Sequence, residues 1–83
     1  MDIHAEVLGV LDETLSLQGR AMKFTPDTPL LGAVPELDSL AVAGLLTALE
    51  DRFGVVIDDD EIDGAVFATV GSLAEFMKNK ISG

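Results

Sequence analysis

Apolar positions near the start of the chain recur at a helical period. Ile3, Val7, Leu11 and Leu15 fall four residues apart with Leu8 beside them, and Asp2, Glu6, Asp12 and Glu13 lie off that line. The pattern predicts an amphipathic helix over about residues 2–17, with Gly19 as its stop. The period is lost from 18 to 38, where Pro26, Pro29, Gly32 and Pro35 punctuate the chain. Leu30, Leu31, Val34 and Leu37 predict that this long loop is pinned to the core, with room in it for a short helical turn. A second stripe, Val42, Leu45, Leu46, Leu49 and Phe53, predicts a helix from Ser39 to Phe53, closed by Gly54. Val55, Val56 and Ile57 read as an extended connector. Asp58 and Glu61 have the spacing of a capping box, which predicts a short third helix turning Ile62, Val66 and Phe67 inward. Thr69 is placed to cap a fourth helix carrying Leu73, Phe76, Met77 and Ile81. Lys78 and Lys80 fall in its last turns, where cations complement the helix dipole. The expected fold is all-α: a small four-helix bundle forming a single domain over residues 1–83, with a long loop between helices 1 and 2 and a short third helix.

Composition narrows the function classes. With 48% hydrophobic residues in an 83-residue chain, a folded core is expected and disorder is not. Fifteen acidic residues against five basic ones give a formal net charge of -10. Such a surface is a poor match for nucleic acid or an anionic membrane and a good match for a basic patch on another protein. Cysteine is absent, so no disulfide, thiolate nucleophile or zinc–thiolate site is available. The start, Met1-Asp2-Ile3-His4, lacks the pattern of a signal peptide, and no apolar run is long enough to span a bilayer. Membrane insertion is not expected, and the expected location is the cytoplasm.

Pro35-Glu36-Leu37-Asp38-Ser39-Leu40 is the stretch with candidate chemistry. Ser39 falls where the loop ends and the second helix begins. A hydroxyl there is expected to be exposed and to face backbone N–H groups of partial positive charge, which would favour an attached phosphate. The plainer reading is that Ser39, or Asp38, is simply the N-cap. Ser39 has no evident base, because the one histidine, His4, lies on another helix and no G-x-S-x-G elbow is present. Asp59, Glu61, Asp63 and Gly64 imitate the first half of a calcium loop, but Val70 stands where its closing bidentate glutamate is required. No metal site is expected.

These residues together resemble the acyl carrier proteins. The matching segments are Asp38-Ser39-Leu40, Leu45, Leu49-Glu50-Asp51, Phe53-Gly54, Val56-Ile57-Asp58 with Asp60-Glu61, and Thr69-Val70-Gly71-Ser72-Leu73. The resemblance covers nearly the whole chain. It implies that Ser39, flanked by Asp38 and Leu40, is esterified by 4'-phosphopantetheine taken from coenzyme A by a phosphopantetheinyl transferase. The arm ends in a thiol that carries acyl groups as thioesters, and the carrier itself catalyses nothing. Partner enzymes that load and transfer acyl groups would dock through basic patches on a monomeric carrier. The chain departs from the family at Glu36, where many members have glycine. It also departs at Ala41 and Gly44, where carriers of fatty acid synthesis usually have acids. The Pro-Glu-Leu-Asp-Ser-Leu form is similar to that of specialised stand-alone carriers.

Two further sets of residues follow as expectations. Ala41, Gly44 and Ala48 share a face of the second helix, predicting a smooth docking surface with Asp38, Glu50 and Asp51 as its acidic rim. Leu45, Leu46 and Leu49, with Ile57, Ile62, Val66, Phe67 and Val70, are expected to wall the space that shelters an acyl chain. Two other functions stay open on the sequence: an aminoacyl or peptidyl carrier, and a non-enzymatic acidic interaction module in which Ser39 is only a cap.

Overall fold

The computed structural model describes residues 2–32 and 34–82, with all of their side chains except those of Ser39 and Asp59. The described residues form three α-helices: α1 (Ile3–Leu15), α2 (Ser39–Phe53) and α3 (Val70–Ser82). Two short 3-10 turns, Arg20–Lys23 and Asp59–Glu61, lie between them. The expected all-α class holds. The helix α1 packs against both α2 and α3, and Leu11, Leu45, Leu49, Leu73 and Met77 close the shared core.

Each helix begins with the chemistry its sequence announces. Asp2 caps α1 by accepting from Ala5 N at 3.2 Å. Thr69 and Ser72 cap α3 reciprocally, Ser72 N donating to Thr69 Oγ1 at 3.1 Å and Thr69 N to Ser72 Oγ at 3.0 Å. Gly54 ends α2 in the left-handed region with φ 67°. The end of α1 differs from expectation. It stops at Leu15, and Ser16 takes the left-handed cap. Asp12 makes the early stop favourable by reaching past the helix end, its carboxylate accepting from Gly19 N and Ala21 N. Gly19 therefore leads into the 3-10 turn rather than ending the helix.

The expected third helix is a correction: in its place stand a 3-10 turn at Asp59–Glu61 and a further turn over 64–67, so the described residues form three α-helices, not four. The first half of its capping box is present, with Glu61 Oε2 accepting from Asp58 N at 2.9 Å. The helix does not propagate because its later groups are engaged elsewhere. Asp63 Oδ1 takes the N–H groups of Ala65 and Val66, a local turn that competes with helix. The carbonyls of Phe67 and Ala68 accept from Leu31 N and Leu30 N of the long loop. The same join continues with Val70 N donating to Thr28 O at 3.0 Å and Gly71 N to Pro26 O at 2.8 Å. Leu30, Val34 and Leu37 are buried as expected, whereas Leu31 and Ile81 are exposed.

Candidate functional site

The helix α2 begins where an extended residue meets a buried anchor. Leu37 is buried and donates its N–H to Val34 O, fixing the chain just before the helix. Asp38 is extended, its carboxylate accepts from Ala41 N at 2.8 Å, and its carbonyl accepts from Val42 N at 2.9 Å. Asp38 is therefore the N-cap, and Ser39 is the first residue inside the helix. The expected exposure of the Ser39 hydroxyl falls outside the described residues. Its neighbour Leu40 is 85% exposed, an apolar side chain left in solvent at the head of the helix.

Along α2 the expected smooth face separates into parts. Ala41 and Ala48 are half-buried against the core, while Gly44 is exposed. A Cβ at Gly44 would meet no atom within 4 Å among the described residues, so close packing of the preceding loop does not account for the glycine. Asp51 is exposed and lines a shallow pocket with Val10, Glu13, Ala48 and Arg52. Glu50 is half-buried, with Oε2 accepting from Ile57 N at 2.8 Å. That oxygen orders the chain leaving α2, a use the helical spacing of Glu50 does not reveal.

The residues expected to shelter cargo are packed together. Leu45, Leu49, Ile57, Phe67 and Val70 are buried, and Leu46, Ile62 and Val66 pack against them with partial exposure. None of the eight lines either pocket described here. The more apolar pocket, of about 230 Å³, lies in the long loop and is lined by Leu17, Arg20, Phe24, Thr28, Pro29, Val34, Pro35 and Glu36. Sequence reasoning missed it because a segment without a period gives no register for its side chains. The proline-rich spacing and the opposed charges of Arg20 and Glu36 were its visible signal.

Among the described residues three ion pairs brace the surface: Arg20–Glu36, Arg52–Glu6 at 2.7 Å and Lys80–Glu61 at 2.8 Å. The hydrogen bond from Arg20, with help from Glu36's own backbone N–H, holds the Glu36 carboxyl below the ordinary range. Lys80 and the Asp58 N–H do the same for Glu61. Among the described residues no cluster of three or more His, Asp or Glu side chains is arranged to hold a metal ion. No described helix is long and apolar enough to cross a membrane.

Comparison with known proteins agrees with this architecture. The family model for the phosphopantetheine attachment site matches residues 1–77. The chain is 37% identical over 71 residues to the acyl carrier protein MbtL of Mycolicibacterium paratuberculosis, covering 86% of this chain and 74% of that one. A holo acyl carrier protein of Nitrosomonas europaea, determined by NMR in solution, superposes with a TM-score of 0.92 at 43% identity, covering 100% of both chains. The chain belongs to the acyl carrier protein family, the carriers with a phosphopantetheine attachment site, which serve partner enzymes and an activating phosphopantetheinyl transferase without being catalysts themselves.

Proposed function

We propose that Ser39 is the residue esterified by 4'-phosphopantetheine in a monomeric, cytoplasmic carrier whose single domain spans residues 1–83. The observation that carries this reading is the division of labour at the head of α2. Asp38 supplies the helix cap, so the adjoining serine is not needed for it. The N–H groups of Ser39 and Leu40 precede the helix's own hydrogen-bond ladder and suit a phosphate oxygen. The bound group would supply the thiol on which acyl cargo is held as a thioester, chemistry the chain lacks because it has no cysteine. The residues Leu45, Leu46, Leu49, Ile57, Ile62, Val66, Phe67 and Val70 support a second element of the proposal. They form a continuous apolar interior that a long acyl chain would enter only by parting the helices.

Intact mass after incubation with coenzyme A and a promiscuous phosphopantetheinyl transferase tests the assignment. The wild type gains one phosphopantetheine and Ser39→Ala gains none. Because Asp38 keeps the cap, Ser39→Ala changes stability by no more than ~0.5 kcal/mol. An unmodified wild type, or a modified Ser39→Ala, sinks the reading. An unmodified wild type would favour the reading in which Ser39 is only a cap.

Docking is assigned to Asp38 at the helix cap and to the exposed Gly44 and Asp51 of α2, with Ala41 beside them and Glu50 contributing its second oxygen. Leu40, projecting from the helix start, fits an apolar contact in the same surface. The open space at Gly44 leaves room for a partner backbone to approach. Gly44→Glu therefore folds normally and slows acyl transfer by the cognate partner. A normally folded variant with an unchanged transfer rate removes Gly44 from the docking surface. Comparing fatty acyl with aminoacyl donors on the holo form decides between acyl cargo and amino acid cargo.

A further inference from the structure

We propose that Arg20 and Glu36 are positioning residues for the loading of Ser39: their ion pair holds the segment ahead of the α2 cap in the arrangement that a phosphopantetheinyl transferase recognises. The inference rests on Ser39 as the attachment residue and adds what presents it.

Three observations converge on it. First, Arg20 stands on a fixed base. Its Nε donates to Leu17 O at 3.1 Å, and Leu17 and Ala21 are buried. The Asp12 carboxylate holds the N–H groups of Gly19 and Ala21. Second, that base is tied to the approach to α2. Glu36 lies two residues before the Asp38 cap. Among the described residues, its bond from Arg20 is the only hydrogen bond joining residues 34–37 to the chain outside 30–38. Third, the Glu36 carboxylate is turned to the protein. Oε2 takes Arg20, and Oε1 is buried without a hydrogen-bond partner among the described residues. An acid serving as a docking charge would keep its oxygens in water. A buried oxygen left unpaired is unfavourable, and a pair with side chains 58% and 34% exposed contributes little to the fold, so stability alone does not account for it. The tie also gives the departure at Glu36 a use, since a glycine there has no side chain to reach Arg20. A segment held in one arrangement binds without first being selected from several. Freeing it lowers the fraction of carriers in the recognised form and weakens apparent binding by the same factor. The chemical step after binding is untouched, so the loss falls on KM for the carrier and not on kcat.

The test measures the rate of mass gain from coenzyme A with a promiscuous phosphopantetheinyl transferase over a range of apo carrier concentrations. Wild type, Glu36→Gln, Arg20→Met and the double variant are compared, each assayed below its thermal midpoint. Each single variant should raise KM about threefold or more with kcat nearly unchanged. The double variant should be no worse than the worse single one, because the second change removes a tie already broken. The sign for Arg20→Met is decisive. Losing a cation makes the carrier more acidic and releases Glu36, so KM would fall if Glu36 or the overall charge met a basic enzyme directly. A positioning role makes KM rise. In the apo protein, nitrogen-15 relaxation should show greater mobility at Glu36 and Leu37 in both single variants, with Leu11 and Leu73 unchanged. A lowered or unchanged KM for Arg20→Met, additive losses in the double variant, or unaltered relaxation at Glu36 and Leu37 overturns the proposal, while mass gain by the wild type leaves Ser39 intact. A wild type that gains no mass, under conditions that modify a control carrier, removes the Ser39 reading and this one with it, so the two failures are told apart.

Discussion

Between α1 and α2 the chain buries Leu17, Ala21, Leu30, Val34 and Leu37; between α2 and α3 it buries Ile57 and Phe67 and otherwise displays Asp58, Asp60 and Asp63 beside a half-buried Glu61. The first connector is held mainly by apolar anchors. The second is held mainly by polar ones: Glu50 on Ile57 N, Glu61 on Asp58 N, Asp63 on Ala65 N, and Lys80 on Glu61. Both connectors carry a 3-10 turn, and the first is sewn to the end of the second and to the start of α3 where 26–31 meets 67–71. The contrast teaches that a long loop need not be the softer one. Apolar side chains distributed along a connector fix it without regular hydrogen bonding, whereas a shorter acidic segment depends on charge and therefore on solution conditions.

The largest change to this arrangement comes from breaking the seam. A Cβ added at Gly71 would come within 2.9 Å of Pro26 O, a backbone atom that cannot swing aside. Gly71→Ala should destabilise the domain by about 1–3 kcal/mol, the usual range for overpacking. Thermal or urea unfolding reads the loss, and amide exchange should rise at Leu30 and Leu31 together with Gly71. An unchanged midpoint would show that the two connectors are held independently.

A smaller effect sharpens the contrast through pH. Arg20 depresses the carboxyl of Glu36, and Lys80 that of Glu61. A carboxyl with a lowered folded-state pKa contributes stability above its ordinary range and loses it as the pH falls through the folded value. Acidification should therefore loosen the second connector first, because fewer apolar anchors remain there once Glu61 is protonated. Hydrogen exchange corrected for intrinsic rates should show protection lost at Ile57 and Val66 at a higher pH than at Leu30 and Leu37. Lys80→Met should remove much of that difference by loosening the second connector already at neutral pH. Simultaneous loss in both connectors would contradict the division between apolar and polar anchoring.

The legible parts of the sequence were those with a repeat or a local partner. The stripes of α1, α2 and α3 predicted the helices, and Gly54 and Thr69 marked their ends because each acts on its immediate neighbours. The third helix was misread because its carbonyls pair with Leu30 and Leu31, more than thirty residues earlier, and capping-box spacing carries no trace of that competition. Glu50 looked like a free rim charge because its partner, Ile57 N, lies beyond the helix end. The loop pocket was missed for a related reason: Arg20 and Glu36 meet only after the chain has turned on Gly19 and the prolines. For the candidate site, the location of Ser39 at the start of α2 was readable from the chain. The assignment of the cap to Asp38 required coordinates.

The Asp38 cap has a thermodynamic consequence. Ala41 N is held by the Asp38 carboxylate, so under the proposal loading at Ser39 leaves that hydrogen bond in place. Any difference in their melting temperatures then reports contacts of the arm itself. By linkage, whatever free energy the resting arm gives to the fold must be returned when a partner enzyme draws that arm out. A carrier stabilised strongly by its cargo would surrender it reluctantly, and one left unchanged would offer it freely. The melting curve of the isolated protein thus measures part of the barrier to delivery.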